Sequence, residues 1–173
     1  MSEVTLVQPY NTQWPYWFES VKAFVEPALA GVQYTIEHVG STAVLGMTAK
    51  PIIDIDVIVE RPVLSQVIDR LAAIGYTHLG DLGILDREAF TLQDQKLIES
   101  LPPHHFYVCI ASAASLRDHI CFRNFMRTHP EWVDRLSQHK LELCKQFDND
   151  RQSYIDGKSD MVCEITTLAM MGK

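Results

Sequence analysis

The chain has 173 residues, 47% hydrophobic and 21% charged, a composition that excludes disordered and fibrous classes and allows a real core. Fifteen Lys and Arg against 22 Asp and Glu leave a net charge of −7, which argues against broad, non-specific nucleic-acid binding and leaves only a local basic patch open. No apolar run is long enough to cross a membrane, and the opening MSEVTLVQPY lacks the order of a signal peptide, so one cytoplasmic domain over residues 1–173 is expected.

Val4–Val7 reads as a short leading segment ahead of Pro9. Trp14-Pro15 opens a helix to about Ala30, with Trp17, Val21, Phe24 or Val25, and Ala28 as its inward stripe. The aromatic cluster of Trp14, Tyr16, Trp17 and Phe18 reads as core rather than as a ligand stack. Two strands follow, Gln33–Val39 and Pro51–Glu60, joined by a Gly-Ser turn and a loop carrying Lys50. A helix from Pro62 to Ile74 presents Leu64, Ile68 and Leu71, and Gly75 ends it as a C-cap. Tyr76–Leu79 and Arg87–Leu92 read as strands around the turn-rich GDLG. Pro102-Pro103 then breaks the chain before HHFYVCI, apolar, aromatic and β-branched enough for a central strand.

After Ser112 the pattern is helical. Ser115 is placed to cap a helix to about Arg127, and Thr128-His129-Pro130-Glu131 fits a capping box for the next, which runs to about Phe147 with Trp132, Leu136, Leu143 and Phe147 inward. The last helix, about Gln152 to Met171, turns Ile155, Val162, Ile165 and Leu168 inward, with Gly157 a local weakness. The four cysteines show no C-x-x-C pair, so no zinc ribbon or redox motif is indicated and they read as small core residues.

The chemistry concentrates between His38 and Val59, HVGSTAVLGMTAKPIIDIDVIV. On an extended strand Asp54 and Asp56 project to one side, and Ile53, Ile55 and Val57 to the other. Paired carboxylates repel unless a cation sits between them, and Mg²⁺ favours one or two carboxylates plus substrate phosphates. Gly40 lets backbone N–H groups approach an anion, and the Ser41 and Thr42 hydroxyls can donate to phosphate oxygens. Taken singly, these are a tight turn and a solvated strand face; together, with twelve residues between Ser41 and Asp54, they are far more specific. Lys50 is either a solvated lysine or a phosphate contact, and Arg87 either a strand-end charge or a phosphate fork. Arg123 and Arg127 share one helix face and either pair with surface acids or, if they face the carboxylate strand, bind a triphosphate or acidic substrate.

This spacing resembles the nucleotidyltransferase signature, a hydrophobic residue, Gly and Gly or Ser, then two acids alternating with hydrophobic residues on the next strand. EHVGSTAV with AKPIIDI resembles the GrpB family, usually assigned to that superfamily. The likeness runs nearly the whole chain, through Tyr10 with Trp14, Gly75-Tyr76, Arg87 with Phe90, His104-His105, FRNFMRTHPE from Phe122 to Glu131, and Tyr154 with Lys158. It implies an α/β (α+β) fold, a nucleotidyltransferase-like mixed sheet flanked by helices with a helical C-terminal half and the site at one sheet edge. It also implies Mg²⁺ or Mn²⁺ on Asp54 and Asp56, and an NTP held by Gly40, Ser41, Thr42, Lys50 and Arg123.

The superfamily's third carboxylate belongs on HHFYVCI, which has no acid. His105 shares a face there with Tyr107 and Cys109 and is the substitute ligand or base; Tyr107 stands where the family pattern has a further histidine. The expected activity is metal-dependent transfer of an NMP group from an NTP to an unknown acceptor, whether small molecule, protein or RNA. The alternatives are a non-catalytic nucleotide- or ligand-binding module on the same fold and metal-dependent phosphoester hydrolysis.

Overall fold

A computed structural model describes residues 6–172, so of the expected leading segment Val4–Val7 only Leu6 and Val7 fall within the described residues. Five strands form one mixed sheet in the order β1-β2-β5-β4-β3: β1 Tyr34–Val39, β2 Ile53–Val59, β3 Tyr76–Gly80, β4 Arg87–Leu92 and β5 His104–Ile110. β2 and β5 are parallel, and every other neighbouring pair is antiparallel. The helices are α1 Trp14–Val25, α2 Leu64–Ala73, α3 Gln95–Ser100, α4 Ala114–Thr128, α5 Pro130–Gln146 and α6 Arg151–Met170. The expected mixed sheet with a helical C-terminal half is present.

Alternation along β2 explains which face is dry. Ile53, Ile55, Val57 and Val59 pack with Phe106, Val108 and Ile110 of β5, against Val21 and Val25 of α1 and Val67 and Leu71 of α2. Burying one such aliphatic side chain contributes about 1.5–3 kcal/mol, so the row fixes the register of both central strands. Asp54 and Asp56 are thereby held on the opposite face, one strand in from the edge strand β1 and not at the edge itself. On that side a second core joins the β1–β2 loop to the helical half: Val44 and Met47 pack with Phe122 and Met126 of α4, Val133 and Leu136 of α5, and Ile165 of α6. The loop that separates the Gly-Ser turn from the carboxylates is therefore anchored, not free.

Several local expectations differ. α1 stops at Val25 because Pro27 cannot continue the helical ladder, and a 3-10 turn Glu26–Leu29 completes the segment. Its buried residues are Trp14, Val21, Val25 and Leu29, whereas Tyr16 is 67% exposed. α3 was not anticipated; Asp94 caps it, its carboxylate accepting from the backbone N–H groups of Lys96 and Leu97. α4 is capped at Ala113, not by Ser115, whose buried hydroxyl has no hydrogen-bond partner among the described residues. The capping box at Thr128 does not form, since that hydroxyl donates back to the Phe125 carbonyl at 3.0 Å and His129 is the N-cap. Gly157 also has a packing side: a Cβ there would come 2.6 Å from Cδ2 of Leu143 on α5, which would have to shift. Cys109 and Cys144 are buried as expected, but Cys163 is exposed. Among the described residues no helix is long and apolar enough to cross a membrane.

Candidate functional site

The site begins where β1 hands over to β2. In their antiparallel register Val39 faces Asp54 and Glu37 faces Asp56, so the turn after Val39 lands beside the Asp54 carboxylate. Gly40 takes φ +71°, a conformation that L side chains rarely adopt, and leads into the 3-10 turn Ser41–Ala43. A Cβ at Gly40 would overlap Oδ2 of Asp54. Only glycine allows backbone and carboxylate to meet this closely, which makes the turn and the first acid one structural unit.

Each carboxylate carries a histidine. His105 is the parallel-register partner of Asp54 on β5, and its Nδ1 donates to Oδ1 of Asp54 at 2.8 Å. His119, on α4 above the sheet, donates from Nδ1 to Oδ2 of Asp56 at 2.7 Å. Asp54 remains 32% exposed at its side chain, whereas Asp56 is fully buried at 0%. The other oxygen of Asp56, Oδ1, is buried without any hydrogen-bond partner among the described residues. Burial opposes charge on His119, but the hydrogen bond and the charges of Asp56 and Asp54 outweigh it and raise its pKa.

A stability test follows. A raised pKa means that the His119–Asp56 contribution is complete below the ordinary imidazole value of about 6.5 and is lost as pH rises through the folded value. In EDTA, His119→Ala should therefore cost about 3 kcal/mol in mildly acidic solution, the scale for stripping a buried carboxylate of its partner, and less in alkaline solution. Denaturant melts across that range check it; an equal loss at both ends would contradict the pairing.

Opposite the acids lies positive charge. A cavity of about 510 Å³ is lined by Gly40, Ser41, Asp54, Arg87, Tyr107, Asp118 and His119 and by Lys158 with other α6 residues; Asp56 lies buried beside Asp54, outside the lining. Beneath the turn Lys140 is 2% exposed, and its ammonium donates to the Ser41 hydroxyl and to the Thr48 carbonyl, each at 2.8 Å. Lys50 and Lys158 both lie near the Tyr154 ring, at 5.4 and 5.5 Å from its centroid. Among the described residues none of the three lysines has an ion-pair partner. Burial first, then neighbouring positive charge, holds Lys140 well below and Lys50 below the usual lysine range; burial does the same at Lys158. Arg87 stacks over Tyr107 at 4.4 Å, and its buried Nε has no hydrogen-bond partner among the described residues.

The structure thus brings together Gly40, Ser41, Asp54, Asp56 and His105, and sets Lys50 behind them beside Tyr154. It does not bring Thr42 or Arg123 to this cavity. The Thr42 hydroxyl turns to Nε2 of His38 at 2.9 Å, and Arg123 donates to Glu37 at 2.6 Å and to the His38 carbonyl at 3.0 Å. His104 points to the opposite face, donating to the Pro102 carbonyl and accepting from the Tyr76 hydroxyl, both at 2.7 Å. Sequence reasoning missed His119 and Lys140. Each sits on an otherwise apolar helical stripe, Leu116-His119-Phe122 and Val133-Leu136-Lys140-Leu143, and that was the available signal.

Among the described residues no three His, Cys, Asp or Glu side chains converge on one point. The carboxylates here are Asp54 and Asp118 in the cavity lining and Asp56 buried beside Asp54, a set of oxygen donors that fits a hard cation completing its shell with phosphate oxygens and water. The Oδ1 of Asp56, without a hydrogen-bond partner among the described residues, is an acceptor left over for such an ion.

A family model described as GrpB protein matches residues 4–167. The chain is 32% identical over 166 residues to the glutamate-rich protein GrpB of Alkalihalophilus pseudofirmus, covering 94% of each. It is 29% identical over 154 residues to the UPF0157 protein YqkA of Bacillus subtilis, where the match takes in 88% of this chain but 43% of that protein, less than half its length. The crystal structure of conserved protein GrpB from Enterococcus faecalis superposes with a TM-score of 0.82 at 25% identity, over 96% of this chain and 98% of that one. The Cid1 poly(U) polymerase bound to MgATP superposes with a TM-score of 0.56 at 14% identity, over 83% of this chain and 45% of that one, a likeness of fold.

Proposed function

We propose, starting from the fact that this chain belongs to the GrpB family and has a nucleotidyltransferase-like fold, that it is a cytoplasmic enzyme that moves an NMP group from an NTP to an acceptor with the help of Mg²⁺ or Mn²⁺. The observation that carries this is the apposition across one cavity of Asp54, with Asp56 and its unpartnered oxygen buried on the same strand face, and Lys158, which has no acid partner among the described residues. Unpaired charge of both signs is costly to bury, and a metal-bound polyphosphate between the two walls would satisfy both.

Asp54 and Asp56 would hold the cation, which when bound polarises the α-phosphate and neutralises charge developing in an in-line displacement. Lys140 donates to the Ser41 oxygen, so the serine's own proton is free to point at a phosphate oxygen. Lys158 and Arg87 neutralise phosphate charge from the cavity walls, with Lys50 adding to the field from behind Tyr154. His105 fixes the orientation of Asp54 through Nδ1. Its ring also borders a separate hollow of about 320 Å³ beside Arg151, from which an acceptor would have to approach for it to act as base.

One observation favours a second reading, binding without turnover. The site-facing residues of β5 are His105, Tyr107 and Cys109, and Tyr107, in register with Asp56, lies under Arg87 where a third acid would activate the acceptor. Incubation with each common NTP and Mn²⁺, followed by mass spectrometry of the products and assay of pyrophosphate, separates the two. Pyrophosphate release supports transfer; metal-dependent binding with no release supports the module.

The lysine wall makes its own prediction. Inorganic tripolyphosphate should stabilise the protein, by about 2.7 kcal/mol at one hundred times its Kd, because it binds only the folded state. Lys158→Met should remove most of that gain. Thermal shifts of both proteins check it, and an undiminished shift in the variant would place the anion elsewhere.

A further inference from the structure

A second cavity, of about 500 Å³, opens beside the edge strand β1 and shares no lining residue with the first. The short turn Ser41–Ala43 divides them: Ser41 belongs to the carboxylate cavity, Thr42 and Ala43 to this one. One wall carries aromatic rings. Phe18 of α1 stacks on His38 with ring centroids 5.0 Å apart and planes 8° from parallel, and Tyr10 stands nearby in the same lining.

The opposite wall is α4, which supplies Arg123 and Arg127. Arg123 is committed to Glu37, the His38 carbonyl and Asn124. Arg127 is not. Its Nε donates to the Ala43 carbonyl at 3.0 Å, which fixes the direction of the guanidinium, and its two terminal nitrogens have no hydrogen-bond or ion-pair partner among the described residues. The charged residues of the lining are Arg123 and Arg127 against Glu37 and Glu19; Glu37 is taken by Arg123, and Glu19 is exposed and lies 3.9 Å from Lys22. His38 adds no charge, since burial holds its pKa at about 4, and its Nε2 is occupied by Thr42.

We propose that this cavity is a binding site for a small planar anion, a flat aromatic or heteroaromatic body bearing one carboxylate or phosphate group. The Arg127 fork meets the acid in two-pronged geometry, a form of recognition that a lysine cannot reproduce. The flat body lies along the wall of Phe18, His38 and Tyr10, where aromatic faces favour stacking. The inference is independent of the nucleotidyl-transfer reading, because it uses none of the residues of the carboxylate cavity.

Phenyl phosphate and benzoate, titrated separately into the whole protein by calorimetry, test it. Saturable binding of at least one is expected, weakened at least tenfold by Arg127→Met and less by Arg127→Lys, which keeps the charge but loses the fork. Binding should be unchanged in Lys158→Met, and Arg127→Met should still bind tripolyphosphate, showing that it is folded. Absence of saturable binding by either probe would overturn the proposal. So would binding lost in Lys158→Met but retained in Arg127→Met, which would put the probe in the first cavity.

Discussion

Asp56→Asn should abolish tight Mn²⁺ binding without unfolding the protein. The carboxylate is fully buried, one oxygen held by His119 and the other without a hydrogen-bond partner among the described residues. Asparagine keeps the shape and an acceptor for the histidine but removes the charge that a cation needs. Loss of a group that merely orients a metal ligand costs about 10–100-fold in affinity, so loss of a ligand itself should exceed about 100-fold. In EDTA above the folded pKa of His119, where the pair no longer contributes, stability should hold or rise, because Asp54 loses a like-charged neighbour on the same strand face; in mildly acidic solution the pair's contribution is lost. Mn²⁺ titration followed by electron paramagnetic resonance, with melts in EDTA, checks both parts. Wild-type affinity in the variant would remove the metal role from Asp56, and a collapse in stability would make the residue structural.

Gly40→Ala should be the most damaging single methyl in the chain. Positive φ costs a non-glycine residue roughly 1–2 kcal/mol, and the new Cβ would also overlap the Asp54 carboxylate, whose Cγ lies 3.0 Å away. Turn or carboxylate must move, so cation binding should fall together with stability. A double-mutant cycle separates the two causes: in an Asp54→Ala background the overlap with the carboxylate disappears, and the backbone cost with a tight 3.2 Å contact to the remaining Cβ should be what is left. An equal cost of Gly40→Ala in both backgrounds would show that the turn and the acid are not coupled.

How much of this was legible depended on whether the signal was local. Ile53 to Val59 alternate strictly, so the face on which Asp54 and Asp56 emerge followed from the period of a strand alone. The HHFYVCI strand was found to its exact ends because Pro102-Pro103 precede it and β-branched and aromatic residues fill it. Arg123 was a different problem. Its spacing with Arg127 fixed a shared helix face, but which side of β1 that face meets is set by how α4 crosses the sheet, a tertiary fact. Glu37, on the strand before the turn, captures it there. Lys140 was hidden by its helix, where a lysine on an apolar stripe passes for a snorkelling side chain; only the fold shows its ammonium ending under Ser41. α3 was passed over because it is six residues long, too short for periodicity to announce, although Asp94 marks its start.

The Asp pair, the Gly-Ser turn and the lysines are held to act as one metal–triphosphate site, and calorimetric titration of ATP tests that unity most directly. It should be run in Mn²⁺ and in EDTA, on the wild type and on the Asp54→Asn/Asp56→Asn double variant. The expected result is tight binding by the wild type in Mn²⁺ alone, with EDTA and the double substitution each weakening it to a similar extent and not adding to one another. ATP bound with equal affinity in all four conditions, or not bound in any, would contradict it.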